Sequence, residues 1–164
     1  MRIITLNQRQ ARILRQNLTN NQDGYDYTDL LRIDYLAKRM NTLLGDYAAK
    51  IAELAREEKR INRALARASD AEREKLQREM MGLGYDVADL DEAAELVEVT
   101  FRVEDGDHKL ILDKLEAVGR WAATDELRPV IIGIKEAVKN AAIEAPEDKV
   151  GDGEEPIEMR ARKR

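Results

Sequence analysis

Between Thr28 and about Ala68 an apolar side chain returns at every seventh position: Ile33, Met40, Tyr47, Leu54 and Ile61 follow one another without a miss. Leu36 and Leu43 fill the d-like position of the first half, while Leu44, Ile51 and Leu65, joined by Ala37, fill the e-like position. This spacing predicts an amphipathic helix whose stripe widens along its length, suited to face a core or to seat a partner helix. At ~1.5 Å per residue, about 40 residues make a rod of roughly 60 Å, longer than a domain of this size needs. Ile33, Met40, Tyr47, Leu54, Ile61 and Leu65 are therefore the expected packing stripe, with part of it presented to another subunit.

The 164 residues fit one domain with a projecting arm and suffice for a real core. Charged residues at 37% and aromatics at 4% suit a helical, partly elongated protein. The net charge of −5 implies no polyionic partner by itself, but its distribution is uneven. Residues 1–18 carry Arg2, Arg9, Arg12 and Arg15 and no acid, whereas residues 84–107 carry nine acids against the single base Arg102. Two solvated faces that attract each other are the simplest reading, and a surface that steers a partner is the sharper one. Without cysteine there is no disulfide, thiolate nucleophile or cysteine-rich zinc site. No apolar run approaches the ~18 residues that span a bilayer, and the N-terminus lacks the apolar core of a signal peptide, so a membrane partner is not expected.

In chain order, Ile3–Leu6 reads as a short strand. A first helix capped by Thr5 or Asn7 should run to about Asn17, and Thr19–Gly24 is turn chemistry. Thr28 or Asp29 is expected to cap the long helix, where Gly45 makes a bend possible. Ser69 with Glu72 three residues on has the spacing of a capping box, which predicts a new helix with Leu76, Met80 and Leu83 as its apolar edge. Either a hairpin turning at Ser69 or a continuous rod to Met81 fits, and the hairpin is preferred because it buries the stripe within the chain. Gly82 and Gly84 should stop that helix, with a separate short one over Asp89–Glu95. Val97, Val99, Phe101 and Val103 alternate with polar residues as a strand whose available partner is Ile3–Leu6. Glu104–Asp107 reads as a turn, followed by a helix from His108 to about Val118 with Leu112 or Ile111, Leu115 and Val118 inside. Gly119 breaks it, and a last helix runs from about Pro129 to Ala142 with Ile131, Ile132, Ile134 and Val138 buried. Residues 144–164 form a charged tail, acidic then basic, that cannot bury enough to fold alone.

No set of residues forms a catalytic centre, and no cofactor or metal site is expected. His108 is the sole histidine and stands at a helix start. Glu104–Asp107 lacks the ligand spacing of a calcium loop. Gly82-Leu-Gly84 follows a helix where a dinucleotide fingerprint would follow a strand, and no phosphate-cradling Gly-rich motif exists. Arg56, Lys59, Arg60, Arg63 and Arg67 make a basic helical face, but Glu53, Glu57 and Glu58 are interleaved as pairing partners and no aromatics stand between, which argues against nucleic acid. Trp121, the sole Trp, reads as core, with an interface anchor formed together with Tyr85 and Phe101 as the alternative.

The opening Met1-Arg-Ile-Ile-Thr-Leu-Asn-Gln8 runs straight into a short helix with Ala11 and Leu14. A Leu36/Leu43/Leu44/Tyr47 helix, a charged arm, an acidic stretch into the Val97–Val103 strand and two small closing helices follow. This order, over roughly residues 1–140, resembles a group of small, functionally uncharacterised proteins encoded by tailed bacteriophages, often among structural and tail genes. The resemblance implies a phage setting, in the host cytoplasm or the virion, and a non-enzymatic role, with no catalytic residue to carry over.

The expected fold is mainly α: a long helix or helical hairpin forming a coiled-coil-like arm over about 45–84, a small two-stranded β element and a C-terminal helical pair, all within one domain of residues 1–143. The expected function is that of a phage structural or assembly protein working through protein–protein contacts, as a homo-oligomer or with other phage structural proteins. The alternative is a phage-encoded inhibitor that sets the acidic segment 84–107, with Asp86, Asp89, Asp91, Glu92 and Glu95, into the basic groove of a host nucleic-acid enzyme.

Overall fold

The computed structural model describes residues 1–20, 24–118 and 126–144. The chain is mainly helical, with strand β1 (Arg2–Asn7), helices α1 (Gln8–Thr19), α2 (Tyr27–Leu65) and α3 (Asp70–Glu95), strand β2 (Glu98–Val103), helices α4 (Asp105–Val118) and α5 (Leu127–Lys139), and strand β3 (Ala142–Ile143). Trp121 and Gly119 lie outside the described residues, as does the tail beyond Glu144 and the middle of the Thr19–Gly24 turn.

β1 and β2 pair antiparallel from Arg2 opposite Val103 to Asn7 opposite Glu98, the pairing expected from their apolar alternation. Ile4 and Leu6 of β1 and Val99, Phe101 and Val103 of β2 all enter the core, so one face of the sheet is dry. The other face carries a Thr5–Thr100 hydroxyl pair at 3.2 Å. The expected two-stranded element is a three-stranded sheet of order β2-β1-β3, because Ala142–Ile143 leaves helix α5 and pairs with Arg2–Ile3. Two residues show no periodicity of any kind, and only the free edge of β1 makes them a strand.

Asn7 ends the strand and caps the next helix at once. Its side chain accepts from Gln10 N at 2.8 Å and the Gln10 side chain accepts from Asn7 N at 3.1 Å, a reciprocal box that leaves no linker between β1 and α1. α1 then lies against α2, α3, α4 and α5, with Ala11, Ile13, Leu14 and Leu18 buried.

α2 is two straight pieces. Gly45 adopts φ 50 and ψ −128 inside it, a conformation in which a Cβ would clash with its own backbone, and the helix kinks there. Its cap is Asp26, whose side chain accepts from Asp29 N at 2.8 Å, two residues earlier than Thr28 suggested. Before the kink Ile33, Leu36, Met40 and Leu44 complete the core. Beyond it the chain runs out along the arm, turns at Ser69 and returns as α3, so the hairpin is the geometry adopted. Ser69 and Glu72 form the reciprocal box that their spacing suggested.

Three expectations fail here for identifiable reasons. α3 passes through Gly82 and Gly84 without a break and absorbs the separate helix placed at Asp89–Glu95. Each glycine costs about 1 kcal/mol in propensity, but Leu83, Val87 and Leu90 continue the partly buried edge started by Leu76 and Met80, and packing outweighs the cost. Glu104–Asp107 is not a free turn, since α4 begins at Asp105 and His108 N donates to Glu104 O at 2.9 Å. In α5 Ile131, Ile134 and Val138 are buried, but Ile132 is 51% exposed, because four isoleucine or valine positions in eight cannot all share one side of a helix.

The glycines of the hairpin should behave oppositely on substitution. Gly45→Ala forces a Cβ into a backbone region reserved for glycine and should lower stability by about 1–3 kcal/mol. Gly84→Ala, at a helical position with open space around it, should raise stability by about 0.5–1 kcal/mol. Urea unfolding of the two variants checks both signs.

Candidate interaction surface

Past the kink the arm soon leaves the core: Tyr47 still belongs to it, and Ala48, Ile51 and Leu90 pack against it. From Ala48 to Ala93 the only buried residue is Ile61, although Leu54, Leu65, Leu76, Met80, Leu83, Val87 and Leu90 are partly covered along the inner seam of the hairpin. The stripe is thus used mostly within the chain. Ile33 and Met40 belong to the core, Tyr47 sits at the arm's root, Ile61 is enclosed far along the arm, and Leu54 and Leu65 are half-buried. The hairpin consumes the side of α2 that the heptad spacing marks out, so the surface left for a partner is the other side.

Where the arm meets the body, a polar cluster joins three helices. The Tyr47 hydroxyl of α2 donates to Asp91 Oδ1 of α3 at 2.6 Å, and Arg12 Nε of α1 donates to the same hydroxyl at 2.9 Å. Arg12 Nη2 also reaches both Asp91 oxygens, at 3.2 and 3.3 Å. One turn earlier Arg9 pairs with Glu95, and its Nε lies 3.7 Å from Asp91 Oδ2. Burial, then the hydrogen bond to Asp91, pushes the Tyr47 phenol up to about 12, partly opposed by the positive charge of Arg12. The Arg9 guanidinium is raised chiefly by its bond to Glu95. Such a cluster holds a proton on Tyr47 and fixes geometry. A phenol so firmly protonated is a poor general base, which makes the cluster a joint.

This cluster answers the uneven charge of the sequence. Arg2 pairs with Asp105 at 2.9 Å, Arg9 with Glu95 and Arg12 with Asp91, so three of the four N-terminal bases meet the acidic segment within the chain. Asp107 of the same segment is held by Arg32 at 2.9 Å. Of the five acids set aside as partner-binding, Asp91 and Glu95 are therefore engaged at the joint. Asp86, Asp89 and Glu92 point outward, exposed, with no ion-pair partner among the described residues.

The remaining features fall into place around the arm. Of the basic face, Arg60 pairs with Glu57 and reaches Glu79 across the hairpin at 3.5 Å. Arg56, Lys59 and Arg63 are exposed and meet no acid among the described residues, despite the interleaved glutamates. Exposed with them are Ala49 and Ala52, one and two turns back. On α3, Met81 and Tyr85 are 63% and 67% exposed, on the side of the helix away from Leu76, Leu83 and Leu90. Tyr85 and Phe101 are not neighbours in one anchor, since Phe101 is in the core. His108 Nε2 donates to the Val138 carbonyl at 2.7 Å and ties α4 to α5. No group of metal-ligating side chains occurs among the described residues, and none of their helices is long and apolar enough to cross a membrane.

Sequence reasoning had the stripe, the acids and the bases, but missed two things. It treated Tyr47 as apolar packing, and it grouped Tyr85 with Trp121 and Phe101 without pairing it with Met81. The first has no linear signal, because the cluster comes from residues 35 and 44 positions apart. The second was legible as two large apolar residues four apart on the side opposite Leu76 and Leu83.

No protein-family model, curated protein or solved structure matches this chain.

The joint should show itself in alkali. The folded chain holds the Tyr47 proton more tightly than the unfolded chain, whose phenol titrates near the usual ~10. Its stabilising contribution is therefore full below pH ~10 and is lost as the pH rises through about 12. Urea unfolding from pH 9 to 11 should show a fall in stability that Tyr47→Phe lacks. At neutral pH Tyr47→Phe should cost about 1 kcal/mol, and Asp91→Ala, which strands Arg12 and the phenol together, about 2–3 kcal/mol.

Proposed function

We propose that this chain is a non-enzymatic structural or assembly protein that works through protein–protein contacts made by its helical arm, in the setting of a tailed bacteriophage. The observation that carries the reading is the arm itself: a two-helix hairpin of which Ile61 alone is buried between Ala48 and Ala93, braced to the body by the hydrogen-bonded joint of Tyr47, Asp91 and Arg12. A protein of this size gains little stability from so long a projection, so a contact surface is its natural use. The resemblance in element order to small phage-encoded proteins supports the phage setting.

The alternative, an inhibitor that imitates nucleic acid with the acidic segment 84–107, has less to work with. Asp91, Glu95, Asp105 and Asp107 are occupied by the chain's own arginines, and Asp86, Asp89 and Glu92 make too short a row to imitate a phosphate backbone. An exposed acidic triplet suits the side of a protein contact better.

Mass spectrometry of purified particles and of their assembly intermediates tests the reading. The chain should be found in one or the other at a fixed copy number. Its absence from both, with stoichiometric capture of a host polymerase or nuclease that salt disrupts steeply, would establish the inhibitor instead.

A further inference from the structure

The outward sides of the two arm helices carry matching patterns of opposite charge. On α3 the exposed run is Tyr85, Asp89 and Glu92, with Met81 one turn before it. On α2 it is Ala52, Arg56 and Lys59, with Ala49 before and Arg63 after. Both runs step by four and then three residues, which on a helix is one continuous side. In each the apolar part lies N-terminal to the charged part. Neither the two acids nor the two bases have an ion-pair partner among the described residues of this chain, although Arg60 and Arg78, at neighbouring positions, both do.

From this complementarity we infer that the arm's partner is a second copy of the chain, with the outward side of α3 in one copy laid parallel on the outward side of α2 in the next. The inference rests on the reading of the arm as a contact surface. In this arrangement Tyr85 and Met81 cover the small side chains Ala52 and Ala49, Asp89 meets Arg56 and Glu92 meets Lys59. Small residues opposite the tyrosine let the helix axes approach closely, and the two charge pairs fix which residue meets which. Tyr85 adds apolar contact, and the two charge pairs supply the part of the affinity that salt removes.

The geometry also dictates the kind of assembly. Within one hairpin α2 and α3 run in opposite directions, so parallel contact between copies makes their arms point opposite ways. The two complementary sides lie on opposite edges of each arm. A pair of copies therefore leaves one acidic edge and one basic edge unsatisfied, and each can accept a further copy. The contact is heterologous, and because each step reverses the arm it continues as a filament with alternating arms.

Charge reversal on each edge tests this with the full chain. Sedimentation velocity of the wild type at ~10 mM salt should show species larger than a dimer that dissociate at ~300 mM salt. Arg56→Glu/Lys59→Glu should weaken self-association by roughly tenfold or more, and so should Asp89→Lys/Glu92→Lys, with circular dichroism unchanged because all four positions are exposed. An equimolar mixture of the two variants, in which each reversed edge meets its complement, should assemble again. Tyr85→Ala should weaken assembly without changing its salt dependence. The inference is overturned by a wild type that stays monomeric at high micromolar concentration and low salt, or by a mixture that does not reassemble. It is equally overturned if the only effect of Arg56→Glu/Lys59→Glu is to abolish binding of a DNA oligonucleotide, since the occupant is then nucleic acid. In any of these cases particle mass spectrometry still judges the broader reading separately.

Discussion

One carboxylate holds the arm to the body. Asp91 receives the Tyr47 hydroxyl and the Arg12 guanidinium together, with Arg9 close by, and those donors come from the two helices that α3 must be positioned against. Among the described residues the arm beyond is stabilised by its own seam, so its direction depends on what happens at its root. A hydrophobic joint would resist separation but would allow sliding, since apolar contacts are not directional. A joint in which Tyr47, Arg12 and Asp91 are bonded to one another does not allow it, because a shift strands a phenol, an arginine and a carboxylate at once. The kink at Gly45 belongs to the same device. It lies two residues before Tyr47, and it sets the course of the arm's first helix just where the clamp begins.

The division of labour between apolar and polar residues follows from this. The first half of the heptad stripe completes a core formed mainly by β1, β2, α1, α4 and α5. The second half closes the hairpin on itself. What remains on the arm's outer edges is charged and sparsely apolar, which keeps an isolated chain from collapsing onto its neighbours while leaving patterns that a suitable partner can satisfy.

Much of the fold was legible in the sequence. The long helix came from the seven-residue return of Ile33 to Ile61, the turn from Ser69 and Glu72, and the strand pair from the alternation Val97–Val103, each a strong local signal with one physical meaning. The uneven charge of residues 1–18 and 84–107 was legible as two faces that attract each other. It did not reveal that Arg9 would meet Glu95 and Arg12 would meet Asp91, two acids assigned to a partner. Tertiary context decided the rest. Gly82 and Gly84 read locally as a stop, yet the seam carries α3 through them. Ala142–Ile143 is a strand only because β1 offers an edge. The candidate surface was the hardest to see, since the periodic stripe that draws the eye is the side that ends up covered, and the surface left for partners is defined by what the stripe does not use.

The seamless passage from β1 into α1 carries a consequence for how this chain can vary. Asn7 is at once the last rung of a strand and the first anchor of a helix, so the alternation of the strand and the winding of the helix share a single phase. Adding or deleting one residue in β1 would exchange Ile4 and Leu6 for their outward-facing neighbours or turn α1 by ~100°, swinging Arg12 away from Asp91. No loop intervenes to absorb the error. Length changes near the N-terminus should thus be far rarer among descendants of this chain than substitutions there, while the turn around Asp70 at the arm's far end can lengthen freely.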